Sequence, residues 1–324
     1  MKKTKLLSDY SYSKQSLIMN SIQFAAIDIG SNAVRLLIKS IIPGDPSDSF
    51  TKVLMVRVPL RLGQESFVSG KISDDKAKKL IRLMKAFKQL IKIYDITDFR
   101  ACATSAMRDA KNSKELVREI RKETNIKIEV INGQEEAFII YESHFADSLN
   151  KDLNYIYVDV GGGSTEISVI TSGELLESKS YDIGTVRLLN NKVNSDEYDR
   201  LNKDLSELKE LYKINDIIGS GGNILKLNLL AKVRKNNKLS ILKLEELNDL
   251  LKTFTVDERI ANYKLKPDRA DVITHAAGVY IDVANGIGAS HIIVPTIGLA
   301  DGIIHMLYVK WKEKNEVKET KVPV

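Results

Sequence analysis

The sequence predicts an α/β protein made of two similarly built halves, and three observations carry that prediction. Short apolar, strand-like runs alternate with amphipathic helical ones along the chain. Residues 27–38 (IDIGSNAVRLLI) and 158–170 (VDVGGGSTEISVI) share one plan: apolar strand, aspartate, glycine-rich turn with a serine, returning strand. The two aspartates, Asp28 and Asp159, stand 131 positions apart, a repeat of domain length that implies two units facing each other.

Residues 22–42 read as two apolar strands joined by the tight turn Gly30-Ser31-Asn32, and 49–60 as a further β segment. Ser73 then opens a helix as its N-cap. Asp74 and Asp75 fall in the first turn, and Ala77, Leu80, Ile81, Met84, Phe87 and Leu90 recur at helical spacing. A short strand over 99–103 leads to Thr104-Ser105, followed by a helix over about 112–124 and a strand over 126–131. Gly133-Gln134-Glu135-Glu136 opens a third helix. The second half begins with a strand over 155–160 and its glycine turn. A third glycine cluster, Gly219 to Asn223, comes after the apolar Ile217-Ile218 and before a helix.

With 324 residues, 43% hydrophobic and 28% charged, the chain can bury a sizeable core without disulfides, and collagen-like or disordered classes are excluded. The single cysteine, Cys102, cannot pair within the chain, which suits a cytoplasmic location. The charge-free stretch 283–300 contains Gly286, Gly288, Pro295 and Gly298 and is not a spanning helix. Residues 1–21 read as a flexible extension, and the Lys- and Glu-rich tail 312–324 as frayed. The net charge of +6 is compatible with a polyanionic substrate. No basic–aromatic stripe supports nucleic-acid binding, and no HExxH-like histidine spacing supports zinc chemistry.

A glycine-rich turn between strands can aim several backbone N–H groups at one point, and a neighbouring Ser or Thr hydroxyl adds a donor. One such turn reads most simply as a hairpin connection. Two matched turns, each with an aspartate at the strand end, point instead to a phosphate site in which a hard cation such as Mg²⁺ offsets the buried carboxylates. Neither GxxxxGK[ST] nor a helix-opening GxGxxG is present, so P-loop and Rossmann chemistry are not supported.

Six blocks now stand in order along the chain: AAIDIGSNAVRLLI, ATSAMRDAKN, EVINGQEEA, VDVGGGSTEIS, IGSGGN and RADVI. Together they resemble the exopolyphosphatase/guanosine pentaphosphate phosphatase family. The resemblance implies two actin-like (ribonuclease H-like) domains of the sugar kinase/actin ATPase superfamily, with the active site in an interdomain cleft. The domains are expected over 22–136 and 137–311, with a C-terminal helix over about 299–311 able to return to the first. The family's catalytic base is matched by Glu136. Asp28, Asp159 and Glu166 match its acidic positions and are assigned to Mg²⁺, or Mn²⁺ as a substitute, or to its water shell. Gly30, Ser31, Asn32, Gly161, Gly162, Gly163, Ser164, Thr165, Gly221 and Gly222 are expected to cradle phosphates, with Arg35 and Arg108 neutralising them and Arg269 and Arg187 as weaker candidates, for which a surface salt bridge is the alternative. Two departures, Asn132 for a usual Ser and Asn223 for a usual Thr, keep a hydrogen-bond donor in place.

The implied activity is Mg²⁺-dependent hydrolysis of the terminal phosphoanhydride of inorganic polyphosphate, with the 5′-phosphohydrolysis of pppGpp as the alternative. A phosphotransferase of the same fold is a third reading, and a sensor without turnover a fourth. The block containing Glu136 favours water as the nucleophile. The cleft's few arginines predict a preference for short chains and release after few cuts. Neither a membrane nor a nucleic acid is expected as partner, and a homodimer is compatible with the sequence.

Overall fold

The computed structural model describes residues 21–43, 49–143, 149–233 and 238–319. The extension expected over 1–21 lies outside these residues except for Ser21. In the first half, β1 (Ile22–Ile29), β2 (Val34–Ile41), β3 (Thr51–Val58), β4 (Asp98–Ala103) and β5 (Ile128–Val130) form one sheet in the order β3-β2-β1-β4-β5. Its helices are α1 (Leu62–Ser69), α2 (Asp74–Ile93), α3 (Ser105–Asp109), α4 (Ser113–Thr124) and α5 (Gly133–Tyr141).

The second half contributes β6 (Asn154–Val160), β7 (Thr165–Thr171), β8 (Glu174–Tyr181), β9 (Ile214–Ser220), β10 (Lys238–Ser240) and β11 (His291–Ile293). Its helices are α6 (Thr185–Leu189), α7 (Ser195–Leu211), α8 (Gly222–Leu230), α9 (Ile241–Lys252), α10 (Val256–Tyr263), α11 (Pro267–Ala270), α12 (Ile273–Ile287) and α13 (Leu299–Glu319). The strand order is β10-β11-β9-β6-β7-β8. Without the edge strand β10, this is the first sheet again: an antiparallel three-strand meander extended by two parallel strands. The repeat read from the two aspartates is thus a repeat of whole half-molecules, the two actin-like domains.

Strand periodicity explains where those aspartates go. On β1, Ala25, Ile27 and Ile29 face the helices of the first half, where they join Leu80, Met84 and Phe87 of α2. That helix begins at Ser73, whose hydroxyl accepts from the Lys76 N–H. Phe24 and Ala26 point the other way, into a central layer shared with Tyr155 and Tyr157 of β6 and with α13. Alternation carries Asp28 and Asp159 onto that same inner face, at the strand ends where the apolar packing stops. Asp28 is consequently 4% exposed.

Two details depart from the sequence reading. The chain from Lys312 is not frayed at its start: α13 continues to Glu319, with Trp311 stacked on Tyr308 at 6.3 Å. It packs through Ile303, Ile304 and Leu307 against the inner face of the first sheet. The expected boundary between residues 136 and 137 falls inside α5, a helix that touches β7 and β8 of the second sheet and α13. No helix among the described residues is long and apolar enough to cross a membrane.

Candidate active site

The two glycine turns are matched bond for bond. Gly30 N–H donates to Ala33 C=O at 3.2 Å, and Gly161 N–H donates to Ser164 C=O at 2.9 Å. A Cβ on Gly30 or Gly161 would sit 3.2 or 3.1 Å from that same carbonyl, so glycine is selected here by close approach, not by positive φ. Among the turn glycines only Gly221, in the third cluster, has φ in the left-handed range, at 102°. The turns also meet one another. A Cβ on Gly162 would lie 2.9 Å from Ser31 Cβ and 3.3 Å from Asn32 N.

Their carbonyls are occupied by supporting helices. Ser31 and Asn32 accept from the N–H groups of Gly63 and Arg61, and Gly161 and Gly162 accept from Thr185 and Val186. Among the described residues, the N–H groups of Asn32, Gly162 and Gly163 meet no acceptor. Carbonyls held away and N–H groups left free make a surface suited to anions.

These turns floor a cleft of about 280 Å³ between the halves. Of the expected residues, Asp28, Gly30, Ser31, Asn32, Arg35, Glu136, Asp159, Gly161, Gly162, Ser164, Gly221, Gly222 and Arg269 line it. Four do not. Thr165 is fully buried and donates its hydroxyl to Ile183 C=O at 2.5 Å. Gly163 is a packing position, where a Cβ would press into Phe67 and Ser105. Glu166 lies behind the cleft, accepting from Ser180 Oγ at 2.9 Å beneath the start of α5. Arg108 stands at the edge, its Nη1 donating to Ile131 C=O at 2.8 Å and lying 3.5 Å from Glu136 Oε2.

Arg187 is a strut and not a phosphate ligand. It stacks on Phe67 at 4.1 Å and bonds Asp109 at 2.5 Å and Gly163 C=O at 2.6 Å, tying the second turn to the first half. Sequence reasoning missed Arg57, Thr104, Ser105, Thr185, Thr296 and Asp301, which also line the cleft. Only Thr104 and Ser105 carried a signal, their place at a strand end.

The electrostatics divide the cleft. At one end burial, then Glu166 and Asp159, push the Glu136 carboxyl well above the usual carboxylate range, against the pull of Arg108. Burial and then Glu166 push Asp159 up to about 7. Asp28 is instead bound by Arg35, whose guanidinium is raised chiefly by that partner. At the other end Arg269 makes no ion pair among the described residues, and burial followed by Arg57 lowers it to about 10. Glu136 Oε2 is buried without a hydrogen-bond partner.

The expected joint metal site of Asp28, Asp159 and Glu166 is not assembled, because Arg35 holds one carboxylate and Ser180 another. Among the described residues no three His, Cys, Asp or Glu side chains are gathered to hold one ion. Asp159 remains the metal candidate facing the cleft. Cys102, paired across β1–β4 with Asp28, is buried and pushed to about 12, so it stays a packing thiol.

The chain matches the model of the Ppx/GppA phosphatase family over residues 40–310. It is 29% identical over 299 residues to a bifunctional 3-dehydroquinate synthase/phosphatase of Fusobacterium nucleatum, covering 85% of this chain and 45% of that one. It is 27% identical over 308 residues to exopolyphosphatase 2 of Mycobacterium tuberculosis, covering 86% of this chain and 96% of that one. The chain spans about half the length of several relatives it matches. Among solved structures, the Aquifex aeolicus Ppx/GppA family member superposes with a TM-score of 0.72 at 27% identity, covering 90% of this chain and 98% of that one. Matched turns, a shared cleft and a family match across most of its length lead to one statement: this chain belongs to the Ppx/GppA phosphatase family.

Proposed function

We propose that the cleft hydrolyses the terminal phosphoanhydride of inorganic polyphosphate and releases orthophosphate. The observation that carries this reading is Glu136 Oε2, a buried acceptor that receives no hydrogen bond, with Arg108 Nη1 3.5 Å away, on a residue lining the same cleft as both glycine turns. A water hydrogen-bonded there gives its proton to Glu136 as its oxygen attacks the terminal phosphorus, and the bond from that phosphorus to the bridging oxygen breaks. The raised affinity of Glu136 for a proton makes it a stronger base. Turn N–H groups hold the terminal phosphoryl oxygens, and Arg35 and Arg269 neutralise the leaving chain.

A divalent cation fits the donor set at the acidic end. Among the described residues the Asp159 carboxyl, pushed to about 7 by burial and Glu166 against the pull of Arg35, makes no ion pair. Mg²⁺, or Mn²⁺ in its place, would be held by Asp159 and the substrate's own phosphate oxygens, and when bound would neutralise charge developing on those oxygens.

The second reading is pppGpp hydrolysis. Among the described residues no aromatic side chain lines the cleft, so a guanine base finds no ring to stack on, whereas an inorganic chain needs none. The test is orthophosphate release from tripolyphosphate, long-chain polyphosphate and pppGpp, each with Mg²⁺ and with chelator. Faster release from the inorganic chains supports the first reading, and faster release from pppGpp the second. No release from any of them overturns both.

A further inference from the structure

The basic end of the cleft holds a residue that neither the repeat nor the motif blocks single out. Arg57 projects from β3, the edge strand of the first sheet, and lines the cleft with Arg35 and Arg269. Its Nη2 reaches 211 positions along the chain to Asp268 of α11, at 2.5 Å. A second bridge runs beside it, from Arg61 to Asp271 at 2.5 Å, and Asn32 Nδ2 donates to Asp268 C=O at 2.7 Å.

Arg57 gives one nitrogen to Asp268, while its Nε and Nη1 are buried with no acceptor, although a guanidinium can offer a second, parallel bond. Next to it stands Arg269, which has no ion pair among the described residues and lies so close to Gly222 that a Cβ there would be 2.7 Å from its Nη2. Asp268 thus pairs with Arg57, Arg269 beside it pairs with no carboxylate among the described residues, and two nitrogens of Arg57 are left without an acceptor. Such an excess of positive charge and N–H groups is relieved by an anion with several oxygens.

We propose that Arg57 is a further substrate-binding residue, paired with Asp268 until a phosphoryl group of the chain beyond the scissile bond takes it over. The inference rests on the phosphoanhydride reading of the cleft and adds to it a specificity element: a substrate long enough to reach Arg57 gains a contact that a shorter one does not.

The two partners then have opposite effects on binding, and the gain from removing the Asp268 charge depends on Arg57, which charge alone does not require. Tripolyphosphate and pyrophosphate binding are measured by calorimetry on the Glu136→Gln protein, alone and with Arg57→Gln, Asp268→Asn or both. Arg57→Gln should weaken tripolyphosphate binding about tenfold, the scale of a lost charge-assisted contact, and leave pyrophosphate nearly unchanged. Asp268→Asn, which frees Arg57, should tighten tripolyphosphate binding at least about threefold, and that gain should vanish when Arg57→Gln is added. Arg57→Lys, with melting curves for every variant, guards against loss of fold. If both single changes weaken binding, or if Asp268→Asn gains as much without Arg57, the proposal is wrong. If Glu136→Gln protein binds neither anion and the wild type releases no phosphate, the parent reading has failed instead.

Discussion

Arg35 and Glu166 occupy the same place in the two half-molecules, each directly across the hairpin from the aspartate seven residues before it. Asp28 pairs in register with Arg35, and Asp159 with Glu166. One repeat, with one residue exchanged, therefore gives a neutralised carboxylate in the first half and a pair of like charges in the second. The asymmetry of the cleft follows from it, because Glu166 and Asp159 are the neighbours that raise Glu136 after burial. Beyond what burial contributes, the base is strengthened by the half of the repeat that holds two acids.

The pH profile should report this directly. Glu136 works deprotonated, so the rising limb of kcat against pH follows its proton affinity in the complex. Removing a neighbouring negative charge with Glu166→Gln should move that limb to lower pH. Removing the neighbouring cation with Arg108→Gln should move it to higher pH. Shifts in the same direction would break the assignment of the limb to Glu136.

Folding stability should carry the mark of Asp159. A carboxyl whose folded pKa is raised binds its proton more tightly in the fold, so its contribution falls as pH rises from 3.8 to about 7. In metal-free buffer, Asp159→Asn should melt with the wild type near about pH 4 and several degrees above it by about pH 8. Equal melting temperatures at both pH values would show that Asp159 is already compensated.

Two glycines separate folding from function. A Cβ on Gly184 would overlap the backbone of Gly163, which cannot move without displacing the second turn. Gly184→Ala should cost on the order of 3 kcal/mol or more in denaturant unfolding. A Cβ on Gly222 meets only the mobile end of Arg269, at 2.7 Å. Gly222→Ala should unfold within about 1 kcal/mol of wild type, yet raise KM by displacing that guanidinium. A reversed pattern would contradict the packing described for both.

Chelator should abolish activity, and Mg²⁺ or Mn²⁺ should restore it. Asp159→Asn should raise the metal concentration for half-activity, whereas Asp28→Asn, which leaves Arg35 unpaired, should raise it less. Full turnover in excess chelator would remove the cation from the account.

The sequence made legible what depends on neighbours along the chain. Alternation on β1 and β6 put Asp28 and Asp159 at strand ends, and Ser73 announced α2 through its cap. Helix α1 was missed because its N-cap is Arg61, at φ 53° and with no side-chain cap bond, so no capping residue marks its start. Glu166 and Thr165 were placed in the cleft because they belong to the block VDVGGGSTEIS that resembles the family's phosphate motif, and the resemblance does not say which way each side chain turns. Here Ile183 and α5 draw them inward. The Arg57–Asp268 and Arg61–Asp271 bridges join residues more than 200 positions apart, and no local pattern marks them. Packing between the halves decides those contacts.

The central claim is that water held by Glu136 attacks the terminal phosphorus. Its most direct measurement is single-turnover hydrolysis of tripolyphosphate in ¹⁸O-labelled water, by wild type and Glu136→Gln. The account predicts one ¹⁸O in the released orthophosphate, none in the pyrophosphate product, and a rate lowered by about 10²-fold or more in the variant with substrate affinity nearly unchanged. Label in the pyrophosphate, or a variant that turns over at the wild-type rate, would contradict it.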